Sequence, residues 1–336
     1  MELSVLIPTH GRPEQLRACL DHLLPQIKAS QHEVIVGVDG GGDPGVQCGA
    51  HECLEIACYP KIGYIEVRRE LMSLARGRVV LWLNDDSYAQ PGLVRSHLDA
   101  HQASEPRVVV GHSPWARIAS PTLFDRLVAE TDLVFFQKSH SDEPYAVGYR
   151  DCYGLNMSFP RMLAEEVGGV PSMPDVYGYD DIELAYRMSN AGAVCWYAPD
   201  AAVVHDHQYT PVDIHRREYQ LGRAAWSYAI ANPEFAAAIF GCDLQDQGVH
   251  SLFEASISTA WRDATRIERS FLGLSQLPPQ GIDERLLPML AEHWVLLKRV
   301  LWRWGVLDAA RGIAGRWSFL RETTPDQVLR PIPDPV

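Results

Sequence analysis

The feature that most restricts what this chain can fold into is a repeated pattern in its first two-thirds, where short apolar runs stop abruptly at polar clusters. Leu3–Pro8 stops at Thr9-His10-Gly11-Arg12, and Glu33–Asp39 stops at Gly40-Gly41-Gly42-Asp43-Pro44-Gly45. Val79–Leu83 stops at Asn84-Asp85-Asp86-Ser87. Runs this short and this continuously apolar suit strands buried on both faces. Helical periodicity separates them. Pro13–Gln26 puts Leu16, Leu20, Leu23 and Leu24 on one side, with Pro13 suited to the first turn. A helix over Gly92–Ala103, a strand over Arg107–Val110 and a helix near Thr122–Gln137 continue the alternation. The pattern predicts an α/β fold, a Rossmann-like and mainly parallel sheet with helices on both faces.

After about residue 210 the pattern becomes almost wholly helical, broken most clearly at Pro278-Pro279-Gln280-Gly281. Length alone suggests about two compact units, and the change in pattern puts them at 1–210 and 211–330. The segment Arg285–Arg321 carries +5 while the rest of the chain carries −18, and it holds four of the nine tryptophans. Leu290, Trp294, Leu297, Leu301 and Trp304 recur at intervals of four and three, so a helix there has an apolar stripe flanked by Lys298, Arg299 and Arg303. Two readings follow: a helix packed on the first domain or on a second subunit of a homo-oligomer, or a surface helix on anionic lipid. The tail from Arg330 to Pro335 cannot be helical.

With 30 Lys+Arg against 43 Asp+Glu the chain carries −13. Phosphate contacts need clustered basic residues, so nucleic acid is excluded as a partner. No apolar run reaches the length of a membrane span, and Met1–Pro8 lacks a basic leader. The expected location is cytoplasmic, with peripheral contact at the inner membrane face under the lipid reading of the C-terminal helices. Seven scattered cysteines suit a reducing compartment. Cys48, Cys53 and Cys58 are spaced by five with His51 among them, wider than the pairs structural zinc uses, and no metal is assigned there.

The polar clusters carry the chemistry. In open α/β sheets ligands bind outside the carboxyl ends of the strands, which is where Thr9 to Arg12, Asp39 and Asn84-Asp85-Asp86 fall. Asp85 and Asp86 lie too far before Pro91 to cap the following helix, and hard divalent cations take carboxylate oxygens. Gly178–Arg187 opens a helix with Asp180, Asp181 and Glu183. Asp180 with Glu183 has capping-box spacing, and Glu183 with Arg187 is an i,i+4 pair. Asp181 has neither duty, so it is the candidate general base. His205-Asp206-His207 follows a short strand, where alternate residues share a face, so either or both imidazoles can join a metal.

These segments together resemble inverting family-2 glycosyltransferases of the GT-A fold over roughly residues 1–210. Ser4–Thr9 followed by Arg12 is similar to that family's first strand and nucleotide-binding turn, which implies donor contacts from Pro8, Thr9 and Arg12. The resemblance puts Asp39 on the base of the nucleotide and aligns Arg68, Ala75-Arg76-Gly77 and Leu83–Ser87 with the family's arginine, helix and metal-motif run. Asn84 stands where many members have Asp, and Arg69 where the usual residue is Asn. The implied metal contact is Asp86, with Asn84 or Asp85 toward the ribose or sugar. Gly154–Ser158, including Asn156, resembles the acceptor-side segment, to which Asp180 and Glu183 also belong. Asp180 replaces a usual Glu, Asp181 takes the base position, and His205 the late metal ligand.

What the resemblance implies is an enzyme that uses Mn²⁺ or Mg²⁺ to transfer a sugar, with inversion, from a nucleotide-sugar to an acceptor hydroxyl. A UDP-sugar is the first expectation, ahead of dTDP- or GDP-sugars; the acceptor is a glycan, lipid-linked, peptide or small-molecule hydroxyl. Two other readings use the same residues: a metal-dependent hydrolase built on His205, His207, Asp85 and Asp86, and a non-catalytic sugar-nucleotide-binding protein. A dinucleotide oxidoreductase is excluded, since no G-x-G-x-x-G follows the first strand.

Overall fold

A computed structural model describes residues 1–46, 51–132, 134, 141–174 and 176–329. Cys48, the end of the helix expected to reach Gln137, and the Arg330–Pro335 tail lie outside the described residues. The chain divides into two compact units, Met1–Ala116 with Ser139–His207, and Arg117–Lys138 with Gln208–Val336.

The first unit is built on an eight-stranded sheet. Its early elements are β1 (Leu3–Thr9), α1 (Pro13–Leu23), β2 (His32–Asp39), β3 (Leu54–Tyr59), α2 (Tyr64–Leu74), β4 (Val79–Leu83), β5 (Ser87–Ala89), α3 (Leu93–Ala100) and β6 (Arg107–Gly111). After α4 (Leu123–Glu130), which goes with the second unit, come β7 (Tyr145–Ala146), β8 (Asn156–Pro160), α5 (Arg161–Glu166), α6 (Asp180–Asn190), β9 (Val194–Ala198) and β10 (Val203–His205). The strand order is β3-β2-β1-β4-β8-β6-β9-β7. Six of the eight strands share one direction, while β8 and the edge strand β7 run against them. The sheet is therefore mixed and mostly parallel.

The three apolar runs become β1, β2 and β4, and their packing explains their composition. Val5, Leu6, Ile7, Val34, Ile35, Val36 and all of Val79–Leu83 are fully buried. Parallel pairing of β1 with β2 and with β4 brings the carboxyl ends of all three strands to one edge. Strand β3, not anticipated from its sequence, pairs parallel with β2 at the sheet's edge. Strands β5 and β10 form a separate antiparallel pair in which His205 lies opposite Ser87.

The second unit contains α4, α7 (Pro211–Ala231), α8 (Pro233–Phe240), α9 (Gln247–Leu274), α10 (Leu286–Ala310) and α11 (Pro325–Leu329). Leu290, Trp294, Leu297, Leu301 and Trp304 of α10 are all buried, and α10 packs on α7 and α9. The stripe is thus the core of this unit. It is not available to lipid or to a second subunit, which corrects both of those readings of it. Among the described residues no helix is long and apolar enough to cross a membrane. The helix α4, whose sequence reads as part of the α/β alternation, instead sets Phe124 edge-on to Phe271 of α9, with ring centroids 6.4 Å apart.

Helices α7 and α10 approach each other through Gly222 and Gly305. A Cβ on Gly305 would overlap the Tyr219 carbonyl oxygen and lie 3.0 Å from the Arg223 nitrogen. Both obstacles are backbone, which cannot swing aside. Gly305→Ala should therefore lower stability by about 1–3 kcal/mol, the usual cost of overpacking, seen as a lower urea midpoint. Gly273→Ala in α9, where a Cβ meets nothing within 4 Å, should move the midpoint the other way by ~0.4–1 kcal/mol.

Candidate active site

The site begins at the carboxyl ends of β1 and β4. Because these strands are neighbours, Thr9 Oγ1 donates to Asp85 Oδ2 at 2.6 Å. The turn after β1 carries Arg12 to the same place: Nη2 lies 2.5 Å from Asp85 Oδ1, and Nη1 donates to Asp86 Oδ2 at 2.6 Å. Both carboxylates are buried. Burial, with the Asp86 charge adding to it, pushes the Asp85 carboxyl up to about 6 against the pull of Arg12 and Thr9. Burial acts on Asp86 too. There the two imidazoles and the Arg12 charge outweigh it, and the carboxyl stays well below the usual range.

The imidazoles arrive from a segment over a hundred residues away. The β5–β10 register sets His205 beside the end of the Asn84–Asp86 run, and the Asp206 amide donates to the Asp86 carbonyl at 2.8 Å. His205 Nε2 lies 3.4 Å from Asp86 Oδ1 and His207 Nδ1 lies 2.9 Å from Oδ2. His207 is beyond the end of β10, so it shares this site through the turn and not through strand alternation. The ligand atoms of Asp86, His205 and His207 all lie within 4.8 Å of one another. Among the described residues Asp86 Oδ1 makes no close hydrogen bond, with only the His205 imidazole beside it. One carboxylate and two imidazoles, drawn this close together, suit a divalent transition metal. Among the described residues this is the one group of three such side chains so placed, and Cys53 and Cys58 join none.

His205 is held by more than its strand. Its amide donates to the Pro114 carbonyl at 2.8 Å, its carbonyl accepts from Ala116 at 2.9 Å, and the Trp115 ring lies 4.6 Å from its own. Asn156 serves the same segments. Its Nδ2 donates to Ala201 O at 2.8 Å and reaches His112 O at 3.5 Å, while Oδ1 lies 2.9 Å from His97 Nε2. Asn156 is 1% exposed and spent at both ends. The structure does not bring it to an open acceptor face, as its place in the sequence motif implied. It ties together the turns that flank His205.

A second cluster joins the first through Arg68. This guanidinium is buried between the rings of Tyr64 and Trp82, 4.4 Å from each centroid. Nη1 donates to Asp180 Oδ2 at 2.8 Å, and Nη2 to Gly154 O at 2.8 Å and to Asn84 Oδ1 at 3.4 Å. Tyr64, which sequence reasoning passed over, also donates to Asn84 Oδ1 at 3.0 Å. A Cβ at residue 154 would run into the Arg68 guanidinium, which explains the glycine there.

The expected capping box is absent. Tyr179, in the left-handed region at φ 67°, takes the N-cap position of α6, and no side chain caps the helix. Asp180 is instead the partner of Arg68. Glu183 is buried and makes a two-point pair with Arg187, at 2.7 Å in each contact. Asp181 is half-buried; Oδ2 accepts from the Gly154 amide at 2.7 Å and Oδ1 from its neighbour Ile182 at 2.8 Å. Burial first, then the Asp180 charge, push its carboxyl up to about 6, opposed by Arg68 and the two amides.

Asp39 closes β2. Its Oδ1 accepts from the Ile62 and Gly63 amides at 2.7 and 3.2 Å, Lys61 Nζ is 3.8 Å from Oδ2, and Pro8 lies within buried β1. Arg12, Asp85, Asp86, His205 and His207 thus form one constellation, Arg68, Asn84, Asp180 and Asp181 an adjoining one, and Asp39 and Asn156 belong to neither.

Residues 4–161 match the family model described as glycosyl transferase family 2. This stretch, just under half of the chain, is a glycosyl transferase family 2 segment. Over 260 residues the chain is 24% identical to the pre-mycofactocin glycosyltransferase of two Mycobacterium tuberculosis strains, covering 71% of this chain. The chain spans about half the length of these curated relatives, 50%. The mannosyltransferase PcManGT from Pyrobaculum calidifontis, solved with GDP-Man and Mn²⁺, has a similar fold at TM-score 0.53 and 15% identity, over 89% of this chain and 85% of that one. S. aureus TarS 1–349 in complex with UDP-GlcNAc is similar at TM-score 0.51 and 14% identity, over 95% of this chain and 94% of that one. These likenesses place the fold in the GT-A class that the sequence motifs implied.

Proposed function

We propose that this protein transfers a sugar from a nucleotide-sugar donor to an acceptor hydroxyl, with inversion, using a divalent cation held by Asp86, His205 and His207. The observation that carries the reading is the meeting of those three ligands with Arg12 and Thr9 at the carboxyl ends of β1 and β4. The family match over residues 4–161 supports it, as do the glycosyltransferase name of the relatives and the nucleotide-sugars in the similar structures. Residues 1–210 act as the catalytic region.

When bound, Mn²⁺ or Mg²⁺ neutralises the charge that develops on a departing diphosphate. Arg12 adds a second positive group beside it, while Asn84 or Asp85 faces the ribose or sugar and Asp39 the base. Asp181 takes the acceptor proton. Two backbone amides fix its carboxylate, and each oxygen keeps a further lone pair for a hydroxyl. Attack from that side displaces the diphosphate in one step and inverts the anomeric centre, through a transition state of oxocarbenium character. The donor base is uracil, thymine or guanine, and the acceptor a glycan, lipid-linked, peptide or small-molecule hydroxyl. Thermal shifts with UDP-, dTDP- and GDP-sugars in the presence of Mn²⁺ identify the donor.

Asp181→Asn should keep donor affinity near the wild-type value while transfer falls by ~10²-fold or more, the scale of general-base loss. Retention of most of the rate would place the base elsewhere. The pH dependence has a definite sign. A carboxyl near 6 is protonated below that pH and cannot accept a proton, so wild-type kcat/KM should fall about tenfold per unit below about 6. Asp85 titrates in the same range, so the part of the limb due to Asp181 is what disappears from the residual rate of Asp181→Asn.

A further inference from the structure

The Asp86 carboxylate is claimed twice. Its Oδ2 accepts from Arg12 Nη1 at 2.6 Å, and the same guanidinium reaches Asp85 Oδ1 at 2.5 Å and lies 3.4 Å from His207 Nδ1. Asp86, His205 and His207 are also the cluster suited to a divalent cation. A cation on Asp86 would sit within a few ångströms of a fixed positive charge in a site where both carboxylates are buried and screening is weak. The guanidinium is not trapped there. The Arg12 side chain is 36% exposed, it takes no part in capping α1 although its backbone sits at the N-cap, and its turn has Gly11 in the left-handed region at φ 63°.

We infer that Arg12 is a competing internal cation that makes metal binding conditional on the donor. Without nucleotide the guanidinium satisfies Asp85 and Asp86 and opposes a second positive charge. A diphosphate offers the fork the same bidentate oxygen geometry that the carboxylates offer. The guanidinium then moves from the aspartates to the phosphate oxygens, and Asp86 is released to the cation. Metal and nucleotide therefore bind with positive coupling through one side chain, and linkage requires each to tighten the other by the same factor. The inference rests on the metal and nucleotide-sugar reading above.

The test is a titration of Mn²⁺, followed by the electron paramagnetic resonance of the free ion, with and without saturating UDP or GDP. Wild type should bind Mn²⁺ weakly alone and more tightly with the nucleotide that fits. Arg12→Met should bind Mn²⁺ alone about tenfold more tightly, as expected when a nearby like charge is removed. It should also bind nucleotide more weakly, with the coupling largely lost. Arg12→Lys, which keeps a charge but not the fork, should shift metal affinity in the same direction by less, and it serves if the methionine variant does not fold. Unchanged or weaker Mn²⁺ binding in a folded variant overturns the inference and leaves the metal reading standing. Wild type that binds no Mn²⁺ with or without either nucleotide overturns both.

Discussion

Asp86→Ala should abolish metal-dependent transfer, lowering the rate by about 10³-fold or more, since it removes the carboxylate on which both imidazoles and Arg12 converge. Circular dichroism should be unchanged, because Asp85 keeps its contacts to Arg12 and Thr9 and one buried charge has been taken away. Chelation of the wild-type protein with EDTA should reproduce the loss, and added Mn²⁺ should restore wild type but not the variant. Turnover indifferent to EDTA would show that His205, Asp86 and His207 have another role. His205→Ala and His207→Ala then rank the two imidazoles by their effect on Mn²⁺ affinity.

Arg68→Met should have the largest effect on stability, about 3–5 kcal/mol, as when one partner of a buried ion pair is removed. The change would strand Asp180, at 2% exposure, and take one donor each from Gly154 O and Asn84 Oδ1. Chemical denaturation gives the figure. The double variant Arg68→Met with Asp180→Leu should recover part of the loss, because no buried charge is left unpaired. Transfer should also fall in Arg68→Met even where it remains folded, since Arg68 links Asn84 beside the metal motif to the helix that carries Asp181. A variant that loses neither stability nor rate would remove Arg68 from this account.

The part of the molecule legible from residue order is the part governed by local periodicity. Continuous apolar runs mark β1, β2 and β4 because strands buried on both faces have no solvent side to be polar. Parallel pairing then places their polar ends together, so Thr9, Arg12, Asp85 and Asp86 could be named before any contact was known. The Glu183–Arg187 pair and the helix Asp180–Asn190 were readable for the same reason, since positions four apart on a helix meet whatever surrounds it.

Tertiary structure decided who partners whom. Asp180 has capping-box spacing, but a left-handed Tyr179 displaces it from the cap and a buried arginine 112 residues away claims its carboxylate. Asn156 sits in a family-like motif, yet its neighbours His97 and Ala201 turn it into a tie between loops. The tryptophan stripe of α10 reads first as a packed face and second as a membrane face. Only the partners α7, brought close through Gly222 and Gly305, and α9 make it a core. The meeting of Asp86 with His205 and His207 itself depends on the antiparallel register of β5 and β10. Periodicity reports which face of an element is apolar. It carries no record of which distant element will cover that face, and there the packing of the whole chain determines the outcome.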